Sequence, residues 1–253
     1  MRVNYSDWWN DVVAIARANS SILVAVAGAF AFLPAMIAAF LLVPMVPPPE
    51  GSGFTELLAA YSDYYRENWP TQLVVFLLTT LGQLLLYVVL LDRRRPAVGE
   101  ALRLAVPLFL PFFVANILVS LLLAGGLMLL FVPALYLVGR IMLTPAAFVS
   151  ETRPNPVAAV ARSFALTRRQ GWRIFFFVFL VYLVVLVVQI AIGGTLSAAL
   201  SLFGGSQDPF SVGRLLLAAL QAAFTSVLFV FGVVLWVALY RRLAGGGEAS
   251  SAT

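Results

Sequence analysis

Six runs of apolar residues, each able to form a helix of about the 20 residues needed to cross ~30 Å of hydrocarbon, dominate this sequence. They lie at Ile22–Val43, Gln72–Leu91, Ala105–Leu123, Leu127–Ile141 with an apolar continuation to Val149, Ile174–Ile192 and Leu215–Tyr240. Backbone immersed in oil must satisfy its hydrogen bonds internally, which a helix does within one segment. The sequence therefore predicts an all-α membrane protein with one integral domain over 1–243 and a disordered C-terminal tail over 244–253. The third and fourth runs are continuous in hydropathy, and Gly125-Gly126 offers the point for a tight helical hairpin to turn. The first run is longer than the roughly 7 to 15 residues of a signal-peptide core and follows Asp7 and Asp11, so it is expected to stay as a span.

Composition removes many chemistries. The chain is 62% hydrophobic and 11% charged, where soluble domains carry about a quarter of charged residues. It contains neither Cys nor His, which excludes disulfides, thiolate nucleophiles, imidazole relays and the usual zinc ligand sets. No metal site and no cofactor is expected. Asp92, Glu100 and Glu151 are too scattered to suggest an acid-base pair, and the chain is read as non-enzymatic.

Arginine placement sets the orientation. All 16 basic residues are Arg, and 13 of them fall before the first run, between the second and third, between the fourth and fifth, and after the sixth. Arg66 and Arg214 lie in the alternate loops, and Arg140 lies inside a run. The positive-inside rule puts the arginine-rich side in the cytoplasm. Both termini are expected there, in a bacterial cytoplasmic membrane. Arginines spread over four membrane-proximal segments match anionic headgroups rather than nucleic acid.

A charged amphipathic segment, Arg153 to Val178, leads into the fifth run. Asn155 suits an N-cap and Pro156 the first helical position. Val157, Val160, Ala161 and Phe164 then fall on one apolar stripe, with Arg162 and Arg169 on another face. Gly171 offers a stop, and Trp172 with Arg173 marks the membrane interface. Similar segments, Tyr5 to Val26 and Arg95 to Phe113, precede the first and third runs. The plan is six transmembrane helices in three hairpins, each preceded by an amphipathic helix on the cytoplasmic face. In the outer loop between the first two runs, Phe54, Leu57, Leu58, Tyr61 and Tyr65 recur at helical spacing. Trp8, Trp9, Trp69 and Trp172 are read as interface anchors.

The stretch "GRIMLTPAAFVSETRPNPVAAVARSFALTRRQGWRIF" resembles the signature of the glycerophosphodiester phosphodiesterase membrane-domain family and related uncharacterised bacterial six-span proteins. The matching features are Arg140, Pro145, Glu151, Arg162-Ser163, Leu166-Thr167, Gly171 and Trp172, about a quarter of the chain. The resemblance implies the six-span fold. It implies no phosphodiesterase activity, because in that family hydrolysis belongs to a separate barrel with His and metal-binding carboxylates.

Arg140 is the one ionisable group within an apolar run, a position that is costly unless the charge is partnered or reaches the interface. It either snorkels or pairs with Glu151 or Glu100, or it binds a ligand. The candidate lipid- or ligand-binding residues are Arg140, Glu151, Arg162, Arg168, Arg169 and Arg173. The expected partners are membrane lipids, through anionic headgroups on the cytoplasmic face. The reading is a lipid-interacting or envelope-organising scaffold. The alternative is a carrier or permease component for an amphiphilic or anionic solute, which requires a polar cavity reaching Arg140.

Overall fold

The computed structural model describes residues 5–251 apart from 44, 47, 50, 93, 95, 130, 152–154, 169 and 203–211. Most of the described residues are helical, with no strand among them. Helix α1 spans Tyr5–Ala18; α2, Ser20–Ala27, passes through one π-helical turn, Gly28–Phe32, into α3, Leu33–Leu41. The wide turn ends at Phe32, just ahead of Pro34, which has no N–H to give the i−4 bond that a regular α-helical ladder requires. Next come α4, Phe54–Leu91; α5, Val98–Leu129; α6, Phe131–Ile141; and α7, Thr144–Ser150. Helices α8, Pro156–Leu166, α9, Gly171–Leu202, and α10, Val212–Ser251, complete the chain.

Five stretches are long and apolar enough to cross a membrane: Ser20–Leu41, Phe54–Leu91, Val98–Gly126, Gly171–Ala191 and Leu215–Gly245. This is the architecture of a multi-pass membrane protein. The fourth run is not a single long helix. Helix α6 has 11 residues, about 16 Å at 1.5 Å per residue, and a turn at Met142-Leu143 separates it from α7. Pro145 opens α7 in its first turn, where proline is tolerated, so the backbone restarts there instead of continuing. The break between the third and fourth runs also moves: α5 stays helical through Gly125 and Gly126 to Leu129. At the other end, α10 runs from Val212 to Ser251.

The outer amphipathic segment and the second run fuse into one 38-residue helix, α4, about 57 Å long. Asn68 fastens it to the first hairpin arm. Its side chain accepts from Val43 N at 2.8 Å and donates to Val43 O at 3.1 Å and Tyr64 O at 2.9 Å. Lower down, Gly82 faces Phe30, where an added Cβ would stand 2.4 Å from the Phe30 Cβ.

Burial is concentrated at one end of the bundle. Every residue from Leu84 to Leu90 and from Val233 to Leu239 is buried. Two full helical turns with no exposed side mean protein on all sides, and α1, α5 and α7 join α4 and α10 in that core. Helix α9 is the opposite case: Tyr182, Val184, Leu186, Val187 and Ile190 are all exposed. In oil such a surface needs no protein cover, because acyl chains are as apolar as leucine.

Long-range contacts gather several helix ends at this buried end. Arg242 on α10 pairs with Asp11 and, at 3.7 Å, with Asp7 of α1, and donates to Asp7 O at 2.7 Å. Arg241 donates to the carbonyl of Leu90 at the end of α4. The Tyr5 hydroxyl donates to Arg173 O at the start of α9, 3.3 Å away. Trp8, expected as an interface anchor, is instead fully buried. Its indole N–H donates to Leu235 O at 3.1 Å, and its ring lies 4.3 Å from that of Phe177. Helices α10 and α9 occupy the side of α1 that the interface was expected to face.

Candidate functional site

Arg140 lies where α6 meets α9. Gly139 and Gly171 bring the two backbones together: a Cβ built on Gly139 would fall 2.2 Å from the Gly171 carbonyl oxygen. A Cβ on Gly171 would fall 2.8 Å from Arg140 Cδ and 2.9 Å from Tyr136 Cε2. The absent side chains leave a seat in which the Arg140 stem rests. Its guanidinium carbon is 5.1 Å from the Phe164 ring centre and 5.7 Å from that of Tyr136. Each ring face attracts the cation by about 0.5 to 2 kcal/mol.

Helix α8 holds the same residue by its backbone. Asn155 caps the helix, accepting from Val157 N at 2.9 Å and Ala158 N at 3.4 Å, with Pro156 first in the helix. One face then carries Ala159, Ser163 and, just beyond the helix, Thr167, all buried. Ser163 Oγ donates to Arg140 O at 2.6 Å, and Thr167 Oγ1 lies 3.3 Å from the same oxygen. The packed face is therefore small and hydroxylated, not the expected stripe. Val157 is 68% exposed, Ala161 is exposed, and Val160 and Phe164 are half-buried. Close helix approach selects small side chains here, and hydropathy does not report that preference.

Among the described residues Arg140 has no ion-pair partner, so of the alternatives the pairing with Glu151 or Glu100 is not formed, and two aromatic rings flank the guanidinium instead. Its Nε and Nη1 are buried and, among the described residues, have no hydrogen-bond acceptor. Glu151 caps the C-terminal end of α7 and is half-buried. Arg162, Arg168 and Arg173 are exposed, and Arg169 lies outside the described residues. Trp9, Trp69 and Trp172 are exposed, Trp172 with its ring 5.6 Å from Tyr136. Gly171 opens α9 instead of closing α8.

A second arrangement comes from residues that the sequence offered only as topology markers. A cleft of about 1240 Å³ opens at the buried end of the bundle. Its apolar wall includes Ile15 of α1, Leu104 and Leu108 of α5, and Val149 of α7. Its charged lining is Arg94, Arg103, Arg241 and Asp92. The Asp92 carboxylate accepts from Arg94 N at 2.8 Å, which fixes the turn after α4. Among the described residues three arginines and one aspartate thus line the same cleft. The three arginines are far apart in sequence, so only the folded chain reveals that they share a lining.

A smaller cavity, about 240 Å³, lies between α9 and α10 and is lined by Gln189, Gln221 and Thr225 among others. Arg140 lines neither cavity. Among the described residues no group of three metal-ligating side chains occurs. Comparison with protein-family models, with curated proteins and with solved structures returns no match.

Proposed function

We propose that this chain is a non-enzymatic scaffold of the bacterial cytoplasmic membrane that engages anionic lipid on its cytoplasmic face. In this reading its topology is three hairpins with both termini inside, and its membrane part is akin to the glycerophosphodiester phosphodiesterase membrane-domain family. Support for an even number of crossings comes from the ties of Arg242 to Asp7 and Asp11, which join the segment before the first span to the end of the last. The fourth crossing is then a broken one, α6 and α7 in series. Non-helical backbone at such a break is tolerated when protein covers it, and Leu143, Thr144 and Ala146 are buried.

The observation that carries the scaffold reading is the packing of Arg140. A carrier moving an anion past that side chain needs a polar path to it. Tyr136, Phe164 and Gly171 crowd around it, and neither cavity touches it. Lipid engagement rests on α8, which exposes apolar Val157 on one face and Arg162 on another, with Arg168 just past its end. That combination suits a helix lying in the inner leaflet.

Arginines near an anionic surface contribute about 1 kcal/mol each, roughly fivefold in affinity. In nanodiscs of mixed phosphatidylglycerol and phosphatidylcholine, the wild-type protein is expected to be enriched in phosphatidylglycerol on native mass spectrometry. Arg162→Gln with Arg168→Gln should lower that enrichment severalfold. Equal enrichment in both proteins would refute the lipid-engaging part of the proposal.

A further inference from the structure

We infer that the cleft between α1, α4, α5, α7 and α10 is a binding site for the phosphoryl headgroup of one anionic phospholipid, with Arg94 and Arg103 as its principal ligands. The inference rests on the membrane-embedded, cytoplasmic-face reading above, but it concerns residues that the α8 surface does not include.

The chemistry of the lining selects the ligand. Three guanidinium groups against one carboxylate favour an anion. Guanidinium forks match phosphoryl oxygens with paired, charge-assisted hydrogen bonds. Among the described residues neither Arg94 nor Arg103 forms an ion pair, so both stay available to an incoming oxyanion. Arg241 is fastened to the Leu90 carbonyl and supplies fixed positive charge in the wall. Asp92 directs one oxygen back to the Arg94 backbone N–H, which holds that arginine's turn in place.

Shape and polarity then separate a lipid from a free ion. Ordinary small-molecule pockets measure about 300 to 1,000 Å³, and this cleft is larger, at about 1240 Å³. Inorganic phosphate would fill a small part of it and leave Ile15, Leu104, Leu108 and Val149 facing water. An amphiphile places its phosphate at the arginines and its chain along those side chains, so both halves of the lining are matched. The position of the cleft fits as well. It is bounded by the ends of α1, α4 and α10 and by the first turns of α5, where an inner-leaflet headgroup lies in the proposed topology.

The test uses the full-length protein in nanodiscs of phosphatidylglycerol and phosphatidylcholine, read by native mass spectrometry as surrounding lipid is stripped. The wild type is expected to keep one phosphatidylglycerol after the rest has gone. Arg94→Gln with Arg103→Gln should reduce that species about tenfold or more, as loss of charge-assisted contacts implies. Ala18→Trp, at an exposed position on the cleft wall, should do the same by occupying the space, with an unchanged thermal midpoint. Arg162→Gln with Arg168→Gln should leave the retained lipid in place even where general enrichment falls, which separates failure of this site from failure of the α8 reading. Retention of the lipid in both cleft variants would overturn the inference, as would equal loss in the α8 variant. Inorganic phosphate binding in pure phosphatidylcholine nanodiscs, abolished by Arg94→Gln with Arg103→Gln and unaccompanied by any retained phosphatidylglycerol, would also overturn the lipid assignment and make the site one for free phosphate.

Discussion

Gly139→Ala is expected to destabilise the folded protein by about 3 kcal/mol, at the upper end of the range for overpacking. The new methyl group would meet the Gly171 carbonyl oxygen at 2.2 Å and Phe175 Cβ at 3.2 Å. The first of these is backbone, which does not move aside as a flexible side chain does, so α6 and α9 must separate. Separation also disturbs the seat of Arg140 and the hydroxyl bonds from Ser163 and Thr167 to its carbonyl. Gly125→Ala is the control, because a Cβ there meets nothing within 4 Å. Alanine in an open helical position is favoured over glycine by about 0.5 to 1 kcal/mol. Thermal unfolding in detergent should show a large loss for Gly139→Ala and none for Gly125→Ala. Matching midpoints for the two variants would mean that the helices are not in contact at Gly139.

Trp8→Ala carries the second large effect, about 3 to 5 kcal/mol, the usual cost of emptying a buried aromatic site. The indole is fully enclosed, lies 4.3 Å ring to ring from Phe177 and donates to Leu235 O. Its loss loosens α1 from both α9 and α10. Trp8→Phe keeps most of the ring and removes only the N–H donor, so it should cost about 1 kcal/mol. An interface anchor would behave differently, since its removal opens no cavity. Near-equal midpoints for wild type and Trp8→Ala would restore the anchor role and detach α1 from the core.

These two residues also mark the limit of what the sequence made legible. Helical class, most span positions and the Asn155-Pro156 start of α8 follow from local chemistry, because apolar length and capping preferences act within one segment. Trp8 is expected from the sequence to anchor at the interface and is instead enclosed by protein, because an aromatic at a helix face does not say whether oil or protein covers it. Gly171 was read as a helix stop, whereas it opens α9 where Gly139 and Arg140 press against it. Glycine at a backbone contact and glycine at a terminus look alike in one dimension. The fourth run divides at Met142-Leu143, where Pro145 opens a new helix two residues on.

The site was the least legible part. Arg140 drew attention because charge inside an apolar run is expensive, and aromatic faces rather than a carboxylate receive it. Arg94, Arg103 and Arg241 were visible as signs of orientation. Nothing in their spacing announces a common cleft, which is created by the convergence of five helices.

The central claim is that the starts of α2, α5 and α9 and the ends of α4 and α10 share the cytoplasmic face. The chain has no cysteine, so single cysteines at the exposed positions Ala18, Arg94, Arg168, Gly245 and Thr55 can be probed on intact cells with a membrane-impermeant maleimide. Labelling of Thr55→Cys alone, with the other four reacting only after permeabilisation, is the predicted result. Labelling that puts Arg94→Cys and Arg168→Cys, or Ala18→Cys and Gly245→Cys, on opposite sides would contradict it.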